Sequence, residues 1–301
     1  MNFKACLTVM ATLGCASVAP AQSPPAGVRA APAAVMHLEP YRRTVAVRVE
    51  ANGRKGLFAF DSASGITLVT PAFAKAVGCT PWGEQVGYSM TGHRYALPRC
   101  DNVRLTIDGT PLTVPVAEVL DPTELFAPGA TPIDGAIALD VFDGKVVTID
   151  AAGGQLIIES PASLAERIRD ARELPLRIAR ESGGVALSTF VQVPTARGPL
   201  SFELDTGNGG TLLVHKAYAS ALGLDPDAKW PARASFEVAP GIKAEGVIFV
   251  KDDLDLNGNL GMPFLKDWIV TLDLKNSRMW IQPTKSVPPP GMGVPPELPK
   301  P

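Results

Sequence analysis

Apolar and polar positions alternate strictly in Thr44-Val45-Ala46-Val47-Arg48-Val49-Glu50, in Val185-Ala186-Leu187-Ser188 and in Phe190-Val191-Gln192-Val193. A period of two is that of a strand with one face in a core. Helical signals are fewer. Thr70 can cap a helix whose first turn tolerates Pro71, and that stretch closes at Gly78. A similar stretch runs from His215 to Gly223. Ser163-Leu164-Ala165-Glu166 has capping-box spacing and predicts a connecting helix over 161–174. The chain is therefore mostly β.

Two of the apolar runs end alike. Gly56-Leu57-Phe58-Ala59-Phe60 leads into Asp61-Ser62-Ala63-Ser64-Gly65, and Leu200-Ser201-Phe202-Glu203-Leu204 into Asp205-Thr206-Gly207-Asn208-Gly209. Further on, Asp134-Gly135-Ala136-Ile137-Ala138 recurs as Asn257-Gly258-Asn259-Leu260-Gly261. Val147-Thr148-Ile149-Asp150 recurs as Val270-Thr271-Leu272-Asp273. The interval from Gly135 to Gly258 equals that from Asp150 to Asp273, while that from Asp61 to Asp205 is longer. A long unit present only twice indicates duplication into two halves and not a solenoid. Two equivalent carboxylates can then meet at a pseudo-two-fold axis.

On these residues each half resembles the pepsin/retropepsin-like aspartic proteases, which pair an Asp-Thr/Ser-Gly loop with a later apolar-apolar-Gly segment. The resemblance covers roughly 46–283 and is fullest in Asp205-Thr206-Gly207 and Asn259-Leu260-Gly261. It implies a bilobed acid-protease-like (pepsin-type) fold, with lobes over 38–160 and 175–284 and substrate in the cleft between them. It also implies that Asp61 and Asp205 are catalytic. Ser62, Ala63, Thr206, Gly207, Ala138 and Gly261 would support the dyad, and Tyr88 would sit on a substrate flap over 85–93. Paired carboxylates repel, so one holds a proton while the other acts as base on a shared water. Two positions depart from the family pattern: Ala63 and Ala138 stand where glycine is expected.

The leading expectation is an exported aspartic endopeptidase that hydrolyses peptides or unfolded proteins. The alternative is a catalytically degenerate module holding an extended peptide in the interlobe cleft by strand addition. Ala63 and Ala138 favour the second; the intact aspartate pair and Thr206-Gly207 favour the first. A third reading pairs two copies of the second lobe across a homodimer. No metal or cofactor is expected, since His37, His93 and His215 lack ligand spacing. Asn208-Gly209-Gly210 lacks the Gly-Lys-Ser/Thr of a phosphate loop. Asp252-Asp253-Leu254-Asp255 lacks a calcium loop's ligand order and reads as a solvated strand end.

Lys4, the apolar stretch over 5–18 and Ala19-Pro20-Ala21 form a signal peptide over 1–21, too short for the ~20 residues of a membrane span. The protein is thus expected to be exported, periplasmic or secreted. Lipoprotein anchoring through Cys15 is a minor alternative. Residues 22–37 read as a linker and 285–301 as a Pro-rich disordered tail. Cys6 and Cys15 leave with the leader, so Cys79 and Cys100 would form one disulfide. A formal net charge of −2, without a basic stripe, argues against nucleic acid and membrane partners. A monomer with a peptide partner is expected.

Overall fold

The computed structural model describes residues 30–121, 131–228, 231–295 and 297. The leader, Cys15 and 22–29 lie outside the described residues. The first half runs through β1 (Ala34–His37), β2 (Glu39–Tyr41), β3 (Thr44–Ala51), β4 (Arg54–Phe60), β5 (Leu68–Val69) and α1 (Pro71–Ala76). It continues with β6 (Trp82–Tyr88), β7 (Arg94–Ile107), β8 (Thr110–Val119), β9 (Gly135–Ile137), β10 (Val146–Asp150) and β11 (Gln155–Ile158). A short helix, α2 (Pro161–Arg167), follows. Next come β12 (Arg172–Glu181), β13 (Ala186–Val193), β14 (Leu200–Leu204), β15 (Leu212–His215) and α3 (Lys216–Ala219). The chain ends with β16 (Ala232–Ala239), β17 (Ile242–Lys251), β18 (Gly258–Leu260), α4 (Met262–Leu265), β19 (Trp268–Asp273) and β20 (Arg278–Pro283).

These strands form two sheets. One has the order β2-β3-β4-β9-β5-β8-β7-β6, and the other β1-β11-β10-β19-β20-β12-β13-β14-β18-β15-β17-β16. The expected repeat is visible in the pairing. In the first half β9 lies parallel to β4 and antiparallel to β5; in the second, β18 lies parallel to β14 and antiparallel to β15. Phe58 and Phe202, counterparts in the repeat, are both fully buried. Between the halves, β10 pairs antiparallel with β19 so that Thr148 faces its own counterpart Thr271, their hydroxyls 2.9 Å apart. A residue meets its own counterpart only on a local two-fold axis.

The predicted first helix is present as α1, capped by Thr70 with Pro71 in its first turn. Its end is tied down by the disulfide between Cys79 and Cys100, whose Cα atoms lie 6.1 Å apart. Cys100 lies within β7. We predict that Cys79→Ala/Cys100→Ala lowers the free energy of unfolding by roughly 3 kcal/mol, the loop-entropy value for a loop of this size. Urea denaturation of both forms measures it.

Elsewhere the observed elements differ from those read in the sequence. The connecting helix stops at Arg167, and 172–181 is a strand whose Leu174, Leu176 and Ile178 keep a period of two. Its capping box starts at Ser160, paired with Ser163, while Glu166 accepts from the Ala30 N–H at 3.1 Å. The predicted linker ends in β1, which pairs with β11 and buries Met36. The proline-rich tail is not loose throughout. Gly293 N–H donates to the Arg43 carbonyl at 3.0 Å, and Met292 is buried in the core.

Candidate functional site

Asp61 and Asp205 are placed by equivalent backbone bonds. Asp61 N–H donates to the Ile137 carbonyl at 2.9 Å, just past the β4–β9 pair; Asp205 N–H donates to Leu260 at 3.0 Å, just past β14–β18. The loops that follow are laced to one another. Ser62 N–H donates to Thr206 Oγ1 (2.9 Å) and Thr206 N–H to Ser62 Oγ (3.0 Å). The Ser62 hydroxyl donates on to Leu204 O (2.6 Å) and the Thr206 hydroxyl to Phe60 O (2.8 Å). These exchanged bonds are the second place where counterparts meet on the local axis. Both hydroxyl residues are buried, so every bond matters: an orphaned buried group costs about 1–3 kcal/mol.

The two carboxyl groups interact with each other across that axis. Asp61 accepts from Ala63 N–H at 3.0 Å, and Asp205 accepts from Asn208 N–H at 2.9 Å and from Asn259 Nδ2 at 2.6 Å. Burial, followed by repulsion from Asp205, raises the Asp61 carboxyl to about 7. Burial also raises Asp205, partly offset by its bonds from the Asn259 amide and the loop N–H groups. The pair therefore keeps a proton well above the ordinary carboxylate range.

Gly207 lies directly against Asp61, where a Cβ would fall 2.5 Å from Oδ2. Its counterpart in the first half is Ala63, so the pair is enclosed unequally. Ala138 is accommodated without strain on its loop, its N–H donating to Thr67 Oγ1 at 3.1 Å. Gly261 is different. A Cβ there would lie 2.5 Å from Thr211 O and 2.6 Å from Asn208 O. Gly261→Ala is therefore expected to lower the melting temperature by roughly 10 °C or more, since two backbone carbonyls must yield and the cost exceeds the ~1–3 kcal/mol of ordinary overpacking. Ala138→Gly should change it by much less, and thermal unfolding compares the two.

Two polar groups near Asp205 were not singled out as site residues from sequence. Glu203 and Asn259 sit opposite one another in the β14–β18 register and are buried, at 5% and 0% exposure. Burial, then the charges of Asp205 and Asp61, raises Glu203 well above its ordinary value. The signal was present: a charged residue inside Phe202-Glu203-Leu204, and an amide in the apolar-apolar-Gly segment. The first half has Ala59 and Ala136 in the same places. That half instead buries Asp140, which accepts from Thr67 N–H (3.1 Å) and Thr67 Oγ1 (2.7 Å) and braces the Asp61 loop. Burial raises Asp140 to about 6, and burial plus Asp140 raises Glu118 to about 7.

The expected flap is the β6–β7 hairpin. It reaches the second half at two points. Ser182 Oγ donates to Val86 O (3.0 Å), Gln85 Nε2 donates to Ser182 O (3.2 Å), and Asp255 N–H donates to Met90 O (2.9 Å). Those contacts lie on segments leading into β13 and β18, the two neighbours of β14. Tyr88 is 67% exposed and Trp82 56% exposed, both on β6 at the edge of its sheet. His215 is not on a helix as expected: it ends β15 and caps α3, its Nδ1 accepting from Ala217 N–H. His93 packs edge-on against Tyr95, and His37 meets Asp108 at the surface. Among the described residues no helix is long and apolar enough to cross a membrane.

Fold and site together define a mostly β chain of two repeated halves that enclose a buried carboxyl pair. Solved structures of similar fold include basic 7S globulin from soybean, with TM-score 0.55 and 11% identity over 84% of this chain and 97% of that one. Conglutin gamma, a basic 7S globulin from lupine seeds, is also similar, with TM-score 0.52 and 10% identity over 83% and 94%. At such identity the likeness is one of fold. No family model and no curated protein matches the sequence. The resemblance to pepsin/retropepsin-like proteases is thereby corrected: the similar structures are 7S globulins, and the aspartic endopeptidase expectation falls with it. The site is consistent with that correction. Its two carboxyls sit in unlike surroundings, Asp205 clamped by Asn259 beside Glu203, Asp61 beside alanines. The disulfide is compatible with an exported protein.

Proposed function

We propose that the chain is a bilobed, pepsin-type module that binds extended peptides in the cleft between its lobes and leaves them intact. The lobes span 38–160 and 175–284. The observation that carries this reading is the hairpin: β6 is an edge strand bearing exposed Trp82 and Tyr88, and its hairpin bridges to the second lobe through Ser182 and Asp255. An edge strand offers unpaired N–H and C=O groups to an extended chain. The aromatic rings offer apolar surface to its side chains. Asp61 and Asp205 then act as hydrogen-bonding groups for the bound backbone, held in place by the Ser62–Thr206 lacing. The module works as a monomer, because both halves of the site come from one chain.

A fluorescein-labelled pool of random dodecapeptides tests this by anisotropy. Saturable binding at one peptide per chain, with peptides recovered at full length by mass spectrometry, is the expected result. Absence of binding, or recovery of fragments, would overturn it.

A further inference from the structure

The solvent-facing side of the first sheet carries an open groove of about 560 Å³, a size usual for small-molecule sites. Its floor is the end of β3 and the start of β4. Arg48 and Glu50 are exposed there, while Val47 and Val49 alternate with them into the core. In register, Arg48 faces Leu57 and Glu50 faces Lys55, with Thr106 of β7 on the other side of Glu50. One wall is the β7–β8 turn at Asp108 and Gly109; the other is the segment over 131–134 that enters β9. Lys55 stands six residues before Asp61 along β4, ~20 Å at the rise of a strand. The groove is thus separate from the carboxyl pair.

The frame of the groove is held by its own bonds. Arg48 meets Glu39 twice, through Nε at 2.9 Å and Nη2 at 2.8 Å. Asp108 Oδ2 accepts from His37 N–H at 2.6 Å, and Asp134 Oδ2 from Leu57 N–H at 3.1 Å. The Tyr41 hydroxyl donates to Thr131 O at 2.7 Å and pins the second wall. Two charges on the floor are left over. Glu50 and Lys55 are exposed and directly opposed, yet among the described residues neither charged group has a hydrogen-bond or ion-pair partner.

We propose that this groove binds a free α-amino acid with an aliphatic side chain, its ammonium on Glu50, its carboxylate on Lys55 and its side chain against Leu57 and Pro132. The mixed lining selects that class. A simple anion drawn to Lys55 meets the carboxylates of Glu50, Asp108 and Asp134, and a simple cation drawn to Glu50 meets Lys55 and Arg48. A zwitterion gains a charge-assisted bond from each free group and is opposed by neither. Opposed residues of an antiparallel pair have Cβ atoms ~4.5–5.5 Å apart, so one small molecule can touch both heads. Leu57 is half-buried beside Lys55 on the same face of β4 and, with Pro132 across the groove, leaves apolar surface for the ligand to cover. Since the frame is already tied down, little ordering is required on binding.

Titration of ¹⁵N-labelled protein with four ligands, followed by amide chemical shifts, tests the proposal. L-Leucine carries both charges, N-acetyl-L-leucine lacks the ammonium, L-leucinamide lacks the carboxylate, and glycine lacks the side chain. L-Leucine should bind saturably with a Kd of ~1 mM or below. Each blocked form should bind at least about tenfold more weakly, and glycine several-fold more weakly. The shifts should fall in 48–57, 106–109 and 131–134. No saturation by L-leucine, a blocked form or glycine binding as tightly, or shifts lying outside those segments would each overturn the proposal. The interlobe peptide reading is tested separately and stands or falls on its own.

Discussion

Gly135→Ala and Gly258→Ala are each expected to leave the protein largely unfolded. Both glycines sit where a short strand is wedged between two others beneath an aromatic ring. A Cβ on Gly135 would lie 2.1 Å from Leu68 O and 2.4 Å from the Phe58 ring. One on Gly258 would lie 2.2 Å from the Phe202 ring and 2.7 Å from Leu213 O. Neither ring can swing aside, because both are fully buried, and neither carbonyl can retreat without breaking its sheet. Overpacking of a core costs typically 1–3 kcal/mol where side chains can yield; here backbone must yield as well, and a loss above about 3 kcal/mol is expected. Circular dichroism and urea titration of the two variants check this. A midpoint close to wild type in either would show that these strands are less tightly stacked than described.

Asp61→Asn is expected to make the protein more stable at pH 8, not less. Asp61 is raised to about 7, Glu118 to about 7 and Asp140 to about 6, all three first by burial. In the unfolded chain such groups titrate near 4. Between roughly pH 4 and 7 the folded protein therefore holds protons that the unfolded chain has released. The stability these groups contribute is full below pH 4 and is lost as pH rises through about 7. Melting temperature should accordingly fall from pH 5 to pH 8. Asparagine at 61 carries no charge to desolvate and can still accept from Ala63 N–H. It should recover about 2–4 kcal/mol at pH 8, on the scale of ~1.4 kcal/mol per unit, and leave pH 5 stability little changed. The remaining slope belongs to Asp140, Glu118, Asp205 and Glu203, all raised first by burial. A variant less stable than wild type at pH 8 would mean that the Asp61 charge is stabilised by a partner.

Much of this was legible because duplication prints its own evidence. The period-two runs marked the strands, and the repeated Asp61 and Asp205 loops marked where the halves meet. The Ser62 and Thr206 hydroxyls, and the Cys79–Cys100 pair, followed from residue type and context. The capping signal at Ser163 misled, since Ser160, just before Pro161, is the true cap, and the alternation in 172–178 was already that of a strand. The order of 286–295 could not be read, because Met292 is a lone apolar residue among prolines and its burial is a tertiary effect. Glu203 and Asn259 escaped notice for a related reason. A polar residue within an apolar run reads as solvent-facing until a second sheet is known to cover it. The protease reading drew on motif alone, while the surroundings of each carboxyl become visible only in three dimensions.

Hydrogen exchange of the amides with and without the dodecapeptide pool tests the central claim most directly. A peptide lying in the interlobe cleft against β6 predicts slowed exchange in 83–88, in the Asp61 loop over 61–67 and in the Asp205 loop over 205–211, with 232–239 on the far edge unchanged. Protection confined to that far edge, or no protection while anisotropy reports binding, would contradict the cleft as the binding site.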